Sequence, residues 1–203
     1  MHTLYSRGSI RRRAAGLVSL MAVVIVSPST TAQSVPEPET RSAVRLALER
    51  LPRYGVFDSL GFRLEGGAVT LEGYAYGPWL GRDATAAVER LPGVAEVANG
   101  VETLPVSKAD DRIRWMTFYQ IYTDDGLARY APGGAVGARF DAFQFGGFPG
   151  TQPAGYSIHI IVNRARTTLV GVVDNAADRQ IAEVRAREVP GVFAVDNRLV
   201  VAR

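Results

Sequence analysis

The chain has 203 residues, with 23 basic and 20 acidic groups, a formal net charge of +3 and no cysteine. Arg7, Arg11, Arg12 and Arg13 all precede Gln33 while no acid does, which leaves 19 of the 23 basic residues beyond that point against all 20 acids. The basic excess therefore gives no warrant for nucleic-acid binding, and the missing cysteine excludes disulfides, thiolate nucleophiles, Cys-ligated metal sites and a lipid-modified cysteine anchor.

The first element is an export signal. Four arginines lead into an apolar run from Ala14 to Val26, Pro28 interrupts it, and Thr30-Thr31-Ala32 supplies small residues for cleavage. This layout predicts a signal peptide over residues 1–32, cut near Ala32. The run is too short for a membrane span, which needs about 20 apolar residues. The expected product is exported and at most peripheral to a membrane.

Ser42 to Leu51 follows, placing Val44, Leu46, Leu48 and Leu51 near helical spacing before Pro52 ends the helix. "FRLEGGAVTLEG" reads as two strands about a Gly66-Gly67 turn, with Phe62 and Leu64 alternating against Val69 and Leu71. Gly73 is expected at the end of the second strand, where the backbone must turn sharply. Arg82 to Leu91 reads as a helix stopped by Pro92-Gly93, the glycine supplying a positive φ. Val94, Val97, Val101 and Leu104 lead into a last strand, and 102–111 reads as a linker.

The same order then recurs. Arg112 to Tyr122 is the first helix of a second copy, and Ile158 to Gly171 is its hairpin. Between them, residues 131–155 form a Gly/Pro-rich insertion carrying Phe140, Phe143, Phe145 and Phe148. A loop longer than about 15 residues without structure of its own is usually functional or disordered. Offset by ninety-eight positions and without a gap, Thr70-Leu71-Glu72-Gly73 falls on Thr168-Leu169-Val170-Gly171, and Pro92-Gly93-Val94 on Pro190-Gly191-Val192. Val97 and Asn99 fall on Val195 and Asn197. A constant spacing between separate motifs marks a duplication. Helix, hairpin, helix, strand, written twice, predicts an α+β chain of two αββαβ modules. Each is a small mixed three-stranded sheet with both helices on one face. The repeated residues Gly73, Pro92, Gly93, Asn99, Gly171, Pro190, Gly191 and Asn197 are structural in this reading.

"VTLEG" and "LPGVAEVANGV" in the first copy, with "TTLVGVV" and "VPGVFAVDNRLVV" in the second, resemble the BON domain. Tandem copies are typical of osmotically inducible periplasmic proteins of bacteria. The resemblance covers about 41–106 and 158–201, with domain limits of 41–106 and 107–203. It implies the αββαβ fold, a periplasmic location and a non-catalytic envelope role, in contact with anionic phospholipid or membrane-associated proteins and linked to envelope stress. It implies no catalytic residues and no cofactor.

The residues themselves argue against an enzyme. Beyond the leader the only histidine is His159, inside the apolar run "YSIHIIV", so a His-centred triad or a multi-His metal site has no second histidine. His159 is expected to be packed or at a strand edge. Asp110-Asp111 and Asp124-Asp125 lack calcium-loop spacing and read as solvated helix ends. Two features suit a membrane surface. "YAYGPWL" puts Tyr74, Tyr76, Trp79 and Leu80 where the second helix begins, and Trp and Tyr favour the headgroup boundary. Arg179, Arg185 and Arg187 lie on the last helix, in the half from Lys108 onward that holds 12 basic and 10 acidic residues. Trp79, Leu80, Arg179, Arg185 and Arg187 are thus the candidate lipid contacts. The alternative is a protein-binding or chaperone-like module that uses the Phe-rich insertion.

Overall fold

The computed structural model describes residues 35–132 and 157–202. The expected signal peptide and all but the first two residues of the 131–155 insertion, including its four phenylalanines, lie outside the described residues.

In the first module α1 (Glu37–Glu49) is followed by β1 (Ser59–Glu65), β2 (Ala68–Ala75), α2 (Leu80–Val88) and β3 (Glu96–Thr103). The second repeats the order with α3 (Lys108–Tyr122), a 3-10 turn at Ala128–Tyr130, β4 (Ile158–Asn163), β5 (Arg166–Val173), α4 (Ala176–Arg187) and β6 (Ala194–Val201). Each sheet runs β1-β2-β3 or β4-β5-β6, the first pair antiparallel and the second parallel. The order is the one the duplication predicts.

Local chemistry accounts for most boundaries. α1 begins at Pro36-Glu37-Pro38, four residues or more before the apolar periodicity, because proline suits the first turn and Glu37 and Glu39 meet the positive helix end. Ser107 caps α3 by accepting from the Asp110 amide at 3.2 Å, so the helix absorbs residues 108–111 of the expected linker. Asn175 caps α4 by accepting from the Asp178 amide at 2.9 Å. α2 starts at Leu80 rather than Arg82, and Leu80, Ala84 and Val88 then share one buried face.

Gly73 and Gly171 require one correction. Neither ends its strand: each pairs inside it, Gly73 with Leu60 and Val101, Gly171 with Ile158 and Leu199. Their φ angles are +119° and +139°, and a Cβ on either would collide with a backbone carbonyl, that of Ser59 or Ser157. The repeated glycine marks a close approach between strands. Gly93 and Gly191, at φ +85° and +94°, follow the Pro-Gly reading. Asn99 and Asn197 each accept from the amide two residues on, Val101 and Leu199, at 3.0 and 3.2 Å.

The modules interlock. Val56 and Phe57, in the loop between α1 and β1, are buried in the same apolar cluster as Ile113, Phe118, Ile160 and Leu169 of the second module. The Phe57 ring meets Trp115 edge-on at 5.2 Å and stands 6.2 Å from Phe118. The Ile160 amide donates to the Val56 carbonyl at 2.8 Å. Arg114, only 1% exposed, donates to the Val162 carbonyl and to Asp111, both at 2.5 Å, and lies 5.1 Å over the Tyr76 ring. The second core is thus completed by residues written in the first copy.

Candidate functional site

The five expected lipid contacts do not form one surface. Leu80 is 1% exposed and lies in the first module's core, because it is the first residue of the buried α2 face. Trp79 packs partly buried against that core, with the Arg53 guanidinium 5.0 Å over its ring and Arg53 itself bonded to Asp83 at 2.7 Å. The three arginines belong to the other module and are already engaged. Arg179 donates to the Asn197 carbonyl at 3.2 Å, and Arg187 pairs with Glu183 at 2.7 Å. Arg185 reaches Asp124 at 2.8 Å and Glu188 at 3.0 Å. The Arg185 bond holds the Asp124 carboxyl below the usual carboxylate range despite an opposing contribution from burial, and its bonds to Arg187 and Asn197 do the same for Glu183. Arg179 and Arg185 tie α4 to β6 and to Asp124 beyond α3, while Arg187 is held within the helix itself.

The titratable groups singled out in the sequence mark the junction between modules. His159 packs its ring 5.2 Å from Tyr54, with Nδ1 3.2 Å from the Gly55 carbonyl, and burial pushes its pKa below the ordinary histidine value. Asp58, which the sequence did not single out, accepts from the amides of Gly55 at 2.8 Å and Tyr76 at 2.6 Å. Burial outweighs those bonds and raises its pKa to about 6. Tyr54 is pushed up to about 12 by burial. Each of these groups has a backbone partner at the seam, and nothing about them assembles a reacting centre.

Asp110 corrects the reading of solvated acids most directly. It is 4% exposed, and its two carboxylate oxygens accept from the amides of Arg164, at 3.0 Å, and Ala165, at 2.8 Å. Those residues form the two-residue β4–β5 turn, at φ +52° and +59°. Positive φ at both centres defines a type I′ hairpin turn, a geometry that favours glycine and asparagine. The first module builds the same turn with Gly66 and Gly67, at φ +56° and +88°. The offset of ninety-eight places Arg164-Ala165 on Gly66-Gly67, Arg166 on Ala68 and Phe193 on Ala95. The second copy has therefore replaced two glycines and two alanines at one tip with Arg, Ala, Arg and Phe, and a buried carboxylate holds the strained turn.

What that tip presents is specific. Phe193 is 79% exposed, beside the β4–β5 turn, with its amide donating to the Ala165 carbonyl at 2.8 Å. The Arg166 guanidinium lies 5.8 Å from the Phe193 ring centroid, and both Arg164 and Arg166 are exposed with no ion-pair partner among the described residues. An apolar ring rimmed by two free cations can enter a lipid headgroup layer while the guanidinium groups engage phosphates. The sequence held the signal for this tip in the alignment of the copies, where Arg-Ala stands over Gly-Gly.

These features define a duplicated αββαβ protein whose copies have diverged at one exposed turn. The BON domain family model matches residues 58–105 and 151–203, and the chain belongs to that family as a tandem BON-domain protein. Two solved structures of CdsD, a structural protein of the type III secretion system of Chlamydia trachomatis, are similar to it. The C-terminal domain structure is 13% identical, covers 83% of this chain and 100% of that one, and has a TM-score of 0.27. The second is 12% identical, covers 81% and 94%, and has the same TM-score. At that score neither bears on function. No curated protein matches the chain. Among the described residues, no helix is long and apolar enough to cross a membrane.

Proposed function

We propose that this is an exported, non-catalytic envelope protein that contacts anionic phospholipid peripherally through the tip of its second BON domain. The observation that carries the reading is Phe193, exposed under Arg166 and beside Arg164, on a turn held at positive φ by Asp110. The amino-terminal pattern of arginines, apolar run and small residues supports export to the periplasm. Membership of a generally non-enzymatic family agrees with the residue chemistry of the seam.

The magnitudes fit a reversible contact. A basic residue near an anionic leaflet is worth about 1 kcal/mol, and burying a phenylalanine ring about 1.5–3 kcal/mol. Two arginines and one ring anchor a protein weakly and in a salt-sensitive way. Flotation of the signal-free chain with phosphatidylglycerol-containing vesicles tests this. Binding is expected at low salt, to fall as salt rises, and to be absent with purely zwitterionic vesicles. Equal flotation on both vesicle types would refute the anionic-lipid reading.

A further inference from the structure

β1 is the outer strand of the first sheet, and among the described residues its outer edge pairs with no strand and opens into a groove of ≈ 700 Å³. The Leu60 amide donates to the Tyr54 hydroxyl at 3.4 Å, and the Leu64 carbonyl accepts from an Arg41 N–H at 3.3 Å. Both bonds come from outside the sheet, so the even residues of β1 turn their backbone groups away from β2. Tyr54 and Arg41 thus close the two ends of a slot. Between them the Leu60 carbonyl and both backbone groups of Phe62 have no partner among the described residues. Natural proteins usually blunt such an edge with charge, proline, a bulge or a covering element. Here the second module forms an opposite wall and leaves a gap. Leu48, Leu60, Val170 and the half-exposed Val172 make that gap apolar. On its α1 rim stand Arg41, already bonded to Glu37, Arg45, exposed and without an ion-pair partner among the described residues, and Glu49.

We infer that this groove takes an extended segment of a partner protein as an added strand on β1, with alternating apolar and polar residues and a carboxylate facing Arg45. Strand addition uses main-chain hydrogen bonds for affinity and alternate side-chain pockets for choice of partner. The slot offers both: unclaimed backbone groups at Leu60 and Phe62, and an apolar wall on one side of them. With Arg41 taken by Glu37, Arg45 is the rim cation left to pair with a carboxylate of the segment. This reading is independent of the lipid tip, which lies on the second module.

The test uses the signal-free full chain and a set of short fluorescein-labelled peptides that alternate valine and threonine, with a central aspartate or a central lysine. Amide exchange comes first: in the free protein the Phe62 amide should exchange fast beside protected neighbours in β1. Saturating aspartate peptide should slow it. Anisotropy should show the aspartate peptide binding about threefold to fivefold tighter than the lysine peptide, the scale of an exposed ion pair. Arg45→Glu, a change on an exposed helix face, should reverse that order. Methylating alternate amides of the peptide leaves the protein untouched and should weaken binding at least about tenfold. A Phe62 amide already protected in the free chain, no binding by any peptide, or equal binding of the methylated peptide would each overturn the proposal. Binding only by a chain shortened between Pro132 and Ser157 would assign the groove to that segment and overturn it equally.

Discussion

Replacing Asp110 with alanine removes the one side chain that holds the strained β4–β5 turn. Its oxygens accept from the amides of Arg164 and Ala165 at 3.0 and 2.8 Å. A hydrogen bond to a charged group contributes about 1.5–3 kcal/mol. The exposed Arg164 amide regains water in the variant, while the half-buried Ala165 amide regains less. The turn also loses its reason to stay left-handed, which costs an L-residue roughly 1–2 kcal/mol per position. Taken together, Asp110→Ala should destabilise the protein by about 3 kcal/mol. For a cooperative unit of this size that lowers the melting midpoint by about 6–12 °C. The assay is a double-mutant cycle in urea with Arg164→Gly and Ala165→Gly, which relieve the strain directly. The glycines should give the wild type, whose turn Asp110 holds at positive φ, at least about 1 kcal/mol more than they give the Asp110→Ala background, where the turn is free to relax. If Asp110→Ala melts like wild type, or if the glycines act equally in both backgrounds, the carboxylate is not what holds the turn.

Other perturbations address the seam and the repeat. Phe57→Ala, although written in the first copy, should cost about 3–5 kcal/mol and lower the urea midpoint reported by Trp115 fluorescence, because the ring fills the second module's core. A midpoint unchanged from wild type would remove the interlock. Gly93→Ala should destabilise more than Gly191→Ala. A Cβ on Gly93 would collide with the Thr40 hydroxyl and come within 3.1 Å of Val35, whereas at Gly191 the nearest atom is Ile113 Cδ1 at 3.5 Å. Equal melting points for the two variants would show that strain at positive φ alone decides the cost. Below pH 6.5 His159 and Asp58 act with opposite signs. The lowered His159 pKa contributes stability that is lost as pH falls below the ordinary histidine value toward the lower folded one. The Asp58 pKa, raised to about 6, contributes stability that is present at low pH and lost as pH rises through about 6. His159→Gln should therefore make unfolding free energy rise more, on acidification from neutral pH to about 5, than in the wild type. Parallel pH profiles would count against the His159 assignment.

Much of the fold was legible because its punctuation is local. Gly66-Gly67 and the two Pro-Gly pairs fix a turn and two helix ends within a few residues, and the fixed offset made each copy check the other. The site was not legible for opposite reasons. Arg164-Ala165 carries no glycine to announce a type I′ turn, and what makes that turn tenable is an aspartate more than fifty residues away. Asp110 looked like a solvated helix end for the same reason: its partners come from tertiary packing. Leu80 was misread because the helix begins two residues before the arginine taken as its start, which turns that side chain inward. Two of the α4 arginines were read as free because their partners lie on other elements, Asp124 for Arg185 and the Asn197 carbonyl for Arg179, whereas the Glu183 partner of Arg187 stood four residues away in the same helix. Val56 and Phe57 sit in a loop between periodic segments, where pattern analysis assigns no core.

The central claim is that divergence of the second tip makes the lipid contact, and the first module supplies the control. Arg164, Arg166 and Phe193 can be rewritten together as Gly, Ala and Ala, the residues that occupy Gly66, Ala68 and Ala95 in a turn of the same fold. The measurement is flotation of this triple variant with phosphatidylglycerol-containing vesicles at low salt, beside wild type, with melting curves for both. The account predicts a variant that melts no lower than wild type and no longer floats. A folded variant that floats as well as wild type would contradict it and move any lipid contact away from the tip.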